Sequence, residues 1–318
     1  MRMGSRARAG ALPIMAAVLA VGLGCSRKAP PEAASNSKGP DPSTIYAVNY
    51  PLRYFAERMA PAAVRVVFPV PEGIDPALWK PSAEAVREYQ RASLILLNGA
   101  GYARWTRYAT LPQTRIVITA DGCRDRFLPS EEIAPHQHGP EGAHAHTGLA
   151  FTTWLDLRLA VCQAGRIRDA LVERWPEEKA NISDKAESLE RDLLDLDERM
   201  RNVGKALGGR PLLASHPVYQ YLADAYGVSI QSLHLEPDQA LRDDDWKEID
   251  ALLDQHRATW MLWEAPPLEA TEVGLLARGV TPVVFDPSAQ RPSEGDFMTV
   301  MNANVDRLEC ATGIKACP

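Results

Sequence analysis

Apolar residues along this chain fall into two series in which short β-branched runs alternate with helical stretches. In the first series 45–48, 64–68, 94–97 and 115–119 read as strands, with helices at 52–59 and 83–91. The second has strands at 212–214, 229–233, 260–263 and 282–285, separated by helical stretches that begin near Val218, Asp243 and Glu269. Strands that alternate with helices need crossover connections, which place them side by side and parallel under a helical cover. The pattern therefore predicts an α/β fold of two lobes, each with a mostly parallel sheet flanked by helices. Between the two series, Ile182, Ala186, Leu189, Leu193, Leu196, Met200, Val203 and Leu207 step by three and four, with charged residues elsewhere. That stripe marks one long amphipathic helix joining the lobes, and Gly208-Gly209 stops it. The expected organisation is an N-terminal lobe at 44–175, a linking helix at 176–208 and a C-terminal lobe at 209–318. Stripe residues pack a core and carry no chemistry.

Ahead of the folded part, Arg2, Arg6 and Arg8 precede an apolar stretch at 11–23, the layout of an export signal. The stretch is short for a bilayer span. Leu23-Gly24-Cys25 resembles a bacterial lipobox, with Gly22 where a larger aliphatic residue is usual. That resemblance implies a signal at 1–25 and a lipid anchor on Cys25; without a lipid, the segment is still a secretory signal. Residues 26–43, rich in Pro, Ala, Ser and Lys, read as a disordered tether.

Charge and cysteine usage narrow the function classes. The chain of 318 residues carries a formal charge of -6, and removing Arg2, Arg6 and Arg8, which have no acid beside them, leaves -9. An acidic protein of this kind suits a cationic ligand, and nucleic acid is excluded as a partner. Cys123, Cys162, Cys310 and Cys317 are an even set in an exported chain. Cys310 and Cys317 are close enough in sequence to pair at small entropic cost. Cys123 with Cys162 is then the other candidate pair, although connectivity cannot be read from sequence.

The candidate chemistry is metal ligation. His136, His138, His144 and His146 cluster within a Gly/Pro-spaced loop at 134–148, and imidazole is the commonest ligand for zinc-like ions. Ligand sites in open α/β sheets lie beyond the carboxyl ends of the strands, where His216, Glu264 and Asp286 are found. Each has a plainer reading: His216 as a packing or capping residue, Glu264 as a cap or a lobe-stabilising carboxylate, and the histidine loop as a weak, adventitious chelator.

At these residues the chain resembles the periplasmic zinc- or manganese-binding proteins that feed metal ABC transporters, the zinc-uptake and TroA-like receptors. The resemblance runs from Tyr50-Pro51-Leu52 to the last helix. It is carried by Asp75-Pro76 with Lys80-Pro81-Ser82, by Asn98-Gly99-Ala100-Gly101 with Trp105, by Trp154-Leu155-Asp156 with Arg158-Leu159-Ala160, and by Ser215-His216 with Tyr219 and 221–227. The family places one metal-binding histidine directly after Asp-Pro and another two residues before the Trp; here those positions are Ala77 and Thr152. Of four ligand positions, His216 and Asp286 carry over.

The resemblance implies a monomeric solute-binding lipoprotein on the periplasmic or extracellular face of the membrane. It would take a divalent metal in a cleft between its lobes and deliver it to a membrane ABC permease, with little lobe motion. Zinc in a closed site takes four ligands, so two more are needed. The expectation is that the histidine loop folds back, with His144 and His146 joining His216 and Asp286. His136 and His138 would be accessory collecting ligands, and Glu264 a further candidate. An excess of imidazole favours Zn2+, with Mn2+ or Fe2+ as alternatives. Two other classes stay open: an adhesion or scaffold lipoprotein with a degenerate metal site, and a zinc-dependent hydrolase. Against an enzyme, the chain contains neither HExxH nor G-x-S-x-G.

Overall fold

In the computed structural model, which describes residues 41–130, 136–137, 143–144 and 148–317, the two strand series form two separate parallel sheets. The first holds β1 (Thr44–Ala47), β2 (Arg65–Val67), β3 (Leu94–Leu97) and β4 (Ile116–Ile118) in the order β2-β1-β3-β4. Its register sets Ile45 beside Val66 and Leu94. A short antiparallel pair follows, β5 (His136–Gln137) and β6 (Ala143–His144), with His136 opposite His144. The second sheet holds β7 (Leu212–Ala214), β8 (Ile230–Ser232), β9 (Trp260–Trp263) and β10 (Thr281–Val284) in the order β10-β9-β7-β8. All eight predicted strands of the two lobes are present; those whose ends differ do so by one residue at each end, the usual uncertainty of a fraying terminus.

Local chemistry fixes the helix starts. Asn49 caps α1 (Tyr50–Met59), its side chain accepting from the Leu52 amide at 3.1 Å, and Pro51 occupies a first-turn position that needs no N–H. Ser82 caps α2 (Ala83–Arg91) in the same way. Asp156 caps α3 (Leu157–Arg174) through the amides of Arg158 and Leu159 and also pairs with Arg126. The long helix α4 (Lys179–Leu207) buries all eight residues of its apolar stripe and ends at Gly208 in the left-handed conformation, φ 60°. The second lobe adds α5 (Gln220–Tyr226), α6 (Asp243–His256), α7 (Glu269–Leu276) and α8 (Phe297–Thr312).

One apolar core runs from the first sheet through α1, α3, α4 and α8 to Leu262, Val283 and Phe285 of the second sheet. Because strand side chains alternate between faces, Leu213, Met261 and Trp263 point the other way, into a smaller cluster with Leu233, Ile249 and Leu275. Where α3, α4 and α5 meet, Asp197 is buried and takes Arg158 at 3.0 Å, Arg201 at 2.9 Å and the Tyr226 hydroxyl at 3.2 Å. A carboxylate in that position is sustained by two guanidinium partners. Gly204 of α4 lies directly against the Tyr226 backbone.

Disulfides join Cys310 to Cys317 at the end of α8, and Cys123, in the turn after β4, to Cys162 of α3. Composition groups 41–43 with the tether, yet these residues are tied to the sheet. The Asp41 carboxylate accepts from the Ser43 amide and hydroxyl and from the Thr44 hydroxyl, which holds its pKa at about 2, and the Asp41 amide donates to the Arg91 carbonyl. No helix of the described residues is long and apolar enough to cross a membrane. The signal, Cys25, most of the tether, His138 and His146 lie outside the described residues.

Candidate metal centre

The chain reverses its winding direction between β7 and β9, because β8 lies on one side of β7 and β9 on the other. A crevice opens at such a switch point, beyond the carboxyl ends of the two strands. His216 follows β7 and Glu264 follows β9, so the strand order alone sets them side by side. The Nδ1 of His216 lies 3.1 Å from the Leu235 carbonyl oxygen, which can only accept, so Nδ1 carries the proton. In the neutral ring the lone pair is then on Nε2. This is the arrangement of a metal-ligating histidine, which gives its other ring N–H to a carbonyl or carboxylate. His216 does not cap α5, which has no side-chain cap. Glu264 approaches from the Nδ1 side at 3.6 Å, and Glu236 from the Nε2 side at 3.6 Å.

Three hydrogen bonds tie the surrounding turns together. The Tyr219 hydroxyl, three residues past His216, donates to the Phe285 carbonyl at 2.7 Å, one residue before Asp286. Trp154 Nε1 donates to the Pro287 carbonyl at 2.7 Å. Thr152 Oγ1 donates to the Val218 carbonyl at 2.6 Å. The turns at 152–154, 216–219 and 285–287 thus form one closed triangle that spans both lobes. Gln290 adds the 71–75 segment by donating to the carbonyls of Pro71 and Ile74. Ala77, two residues past that segment, is buried, its amide held by the Asp75 carboxylate at 2.8 Å.

Electrostatically the centre is acidic. Burial raises Glu264 to about 8, with Asp75, Glu236 and Asp286 adding repulsion in that order. Asp286 is also raised by burial, while the Ser288 amide at 2.7 Å and the Arg307 guanidinium oppose the rise. Asn304 holds the Asp286 backbone from both sides, accepting from its amide and donating to its carbonyl. Asp75, Glu236 and Asp286 thus repel the Glu264 carboxylate, and a divalent cation nearby would offset that repulsion. Tyr102 packs against Phe151 and Trp154 with ring centroids 5.4 and 5.7 Å away, and Asp75 acts on its hydroxyl. That buried hydroxyl has no hydrogen-bond partner among the described residues.

The first lobe has closed its own switch point, between β1 and β3. Asn49 and Asn98 stand at those strand ends, and the Asn98 side-chain oxygen accepts from Asn49 at 3.2 Å, Thr153 at 3.3 Å and Gln163 at 3.0 Å. Neutral amides that satisfy one another leave no donor set for a metal there.

The roots of the histidine loop leave the fold beside the same triangle. Ser130 and Gly148, like Leu128 and Ala150, are joined backbone to backbone, and the Tyr221 hydroxyl accepts from the Leu128 amide and donates to the Ala150 carbonyl. Tyr221 is five residues past His216. Of His136 and His144 the structure describes the backbone pairing alone.

Among the sequence-derived candidates, the fold brings His216 against Glu264 and puts Asp286 in the field of Glu264. Among the described residues no three His, Cys, Asp or Glu side chains are grouped as a metal ion requires. Sequence reasoning missed Asp75, Glu236 and His234, whose ring centroid is 6.0 Å from that of His216. The signal for two of them was present: His234 and Glu236 follow the strand predicted at 229–233, which is where the strand-end rule looks for ligands.

The family model for the periplasmic zinc-uptake complex component A matches residues 45–311. The chain is 20% identical over 292 residues to the high-affinity zinc uptake system protein ZnuA of Bacillus subtilis, covering 89% of this chain and 91% of that one. It is 25% identical over 173 residues to the manganese-binding lipoprotein MntA of Halalkalibacterium halodurans, covering 54% and 53% respectively. Its fold matches the solved structure of the Zn(II)-bound ZnuA-like domain of AdcA from Streptococcus pneumoniae with a TM-score of 0.70 at 19% identity, over 85% of this chain and 98% of that one.

Proposed function

The chain belongs to the family of periplasmic zinc-uptake components, and on that premise we propose how its own residues complete the metal site. The family consists of substrate-binding transport proteins, not enzymes. The protein captures a divalent transition metal, zinc foremost and manganese as the alternative, and passes it to an ABC permease. The metal is cargo, and no bond in it or in the protein is made or broken.

In our reading His216 and Asp286 supply the two donors held by the fold, and His144 and His146 of the loop supply the other two. His136 and His138 act as accessory ligands that collect the ion, and Glu264 stands beside the site. The observation that supports this most is the clamp of Tyr221 on the loop roots, on the same helix and turn that carry His216. His146 is two residues from Gly148, so its Cα lies within about 7 Å of that root, and His144 within about 14 Å. Cys25 carries the lipid that keeps this monomeric receptor near its permease, a reading supported by the lipoprotein relative.

Zinc stoichiometry and affinity measured by calorimetry on the mature protein, on a His144→Ala/His146→Ala variant and on His216→Ala test the site. Both variants should bind at least tenfold more weakly than wild type, in line with the loss of a metal-site donor. Equal binding by all three proteins would remove the assignment.

A further inference from the structure

We propose that Glu236 is a metal ligand, paired with His216 and taking the place of one of the two loop imidazoles in the four-donor shell, so that the C-terminal lobe supplies two adjacent donors where Ala77 and Thr152 supply none. The inference rests on His216 being a ligand, as read above, and extends it to a residue outside the family pattern.

The segment after β8 is built to hold this pair. The Leu235 amide donates to the Ser215 carbonyl at 2.8 Å, which fastens residue 235 to the extension of β7 next to His216. The Leu235 carbonyl then takes the Nδ1 proton of His216, directing the Nε2 lone pair away from that carbonyl. The next side chain, Glu236, places Oε1 3.6 Å from that Nε2. Two donors on one tetrahedral ion, with bonds of about 2.0–2.2 Å, stand roughly 3.3–3.5 Å apart. The observed separation therefore needs a shift of only a few tenths of an ångström to accept an ion between the two atoms. A single dipeptide, Leu235-Glu236, fixes the tautomer of one ligand with its backbone and offers the second with its side chain.

Glu264 does not compete for this role. It faces Nδ1, which is committed to Leu235, and so acts on the ring from outside as a second carboxylate. Glu236 keeps 41% of its side-chain surface open, which suits a ligand that must exchange its ion with solvent and permease. An aqueous cation meets this side of the pair first. The plainer role for Glu236 is to accept a hydrogen bond from protonated His216, and the two roles differ in what they do to a bound metal.

The test uses the full mature protein in wild-type, Glu236→Gln, Glu236→Ala and His216→Ala forms. Zinc affinity is measured by competition with a chelating dye, and the first coordination shell by X-ray absorption. Glu236→Gln and Glu236→Ala should bind zinc at least tenfold more weakly, with one fewer oxygen donor in the shell for the alanine form, and should unfold in the metal-free state like wild type. Wild-type affinity and shell in both Glu236 variants, with weakened binding in His216→Ala, would overturn the role of Glu236 and leave His216 in place. Wild-type affinity in His216→Ala would instead overturn the underlying site, and this inference with it.

Discussion

Thr152 Oγ1 donates a hydrogen bond of 2.6 Å to the carbonyl of Val218, two residues past His216. By the resemblance drawn from the sequence, Thr152 is at the position of a metal-binding histidine. A hydroxyl and a carbonyl here join the two lobes directly. In the site proposed above, the first lobe contributes closure, and the second lobe and the loop would supply the donors.

Thr152→Val keeps the shape and removes the hydroxyl. The Val218 carbonyl loses its partner, which costs about 1 kcal/mol. Urea unfolding of the metal-free protein should show a loss of that order; unchanged stability would mean that the bond does not hold the lobes.

Glu264 makes metal-free stability depend on pH in a definite direction. Its carboxyl is raised from 4.5 to about 8 in the fold, so the folded state keeps the proton while the unfolded chain gives it up. The favourable contribution is complete below pH 4.5 and is lost as pH rises towards 8. Glu264→Gln cannot ionise and escapes that loss. Because 35% of the side chain is open to water, screening reduces the gain to about 1–2 kcal/mol. In chelator, the variant should match wild type at pH 4.5 and exceed it at pH 8.5; parallel behaviour at both would contradict the assignment.

Gly204→Ala should destabilise the protein although alanine is the better helix former. A Cβ at position 204 would overlap the Tyr226 carbonyl, and backbone cannot swing aside as a side chain can. Overpacking of this kind costs about 1–3 kcal/mol, against about 1 kcal/mol gained in helix propensity. Thermal unfolding decides the sign, and a rise in Tm would show that α4 and α5 can separate without penalty.

Much of the architecture follows from periodicity alone. The strands at 94–97, 212–214 and 260–263 and the helix at 83–91 match the observed bounds to the residue, and every residue of the 182–207 stripe is buried. Alternation and three-four spacing report which face of an element must leave water, and that is a local property of the chain. The placing of His216, Glu264 and Asp286 at strand ends was legible for the same reason, as it follows from where β7, β9 and β10 stop.

Tertiary structure alone decided who meets whom. Thr152 and Val218 are 66 residues apart, Trp154 and Pro287 133 apart, and no periodic signal links either pair. The approach of Glu236 to His216 depends on β8 pairing with β7 and on a backbone carbonyl choosing a tautomer, neither of which residue types record. Burial patterns are written residue by residue along the chain, whereas directed contacts between polar atoms exist only once the packed core has fixed distances to within a few tenths of an ångström.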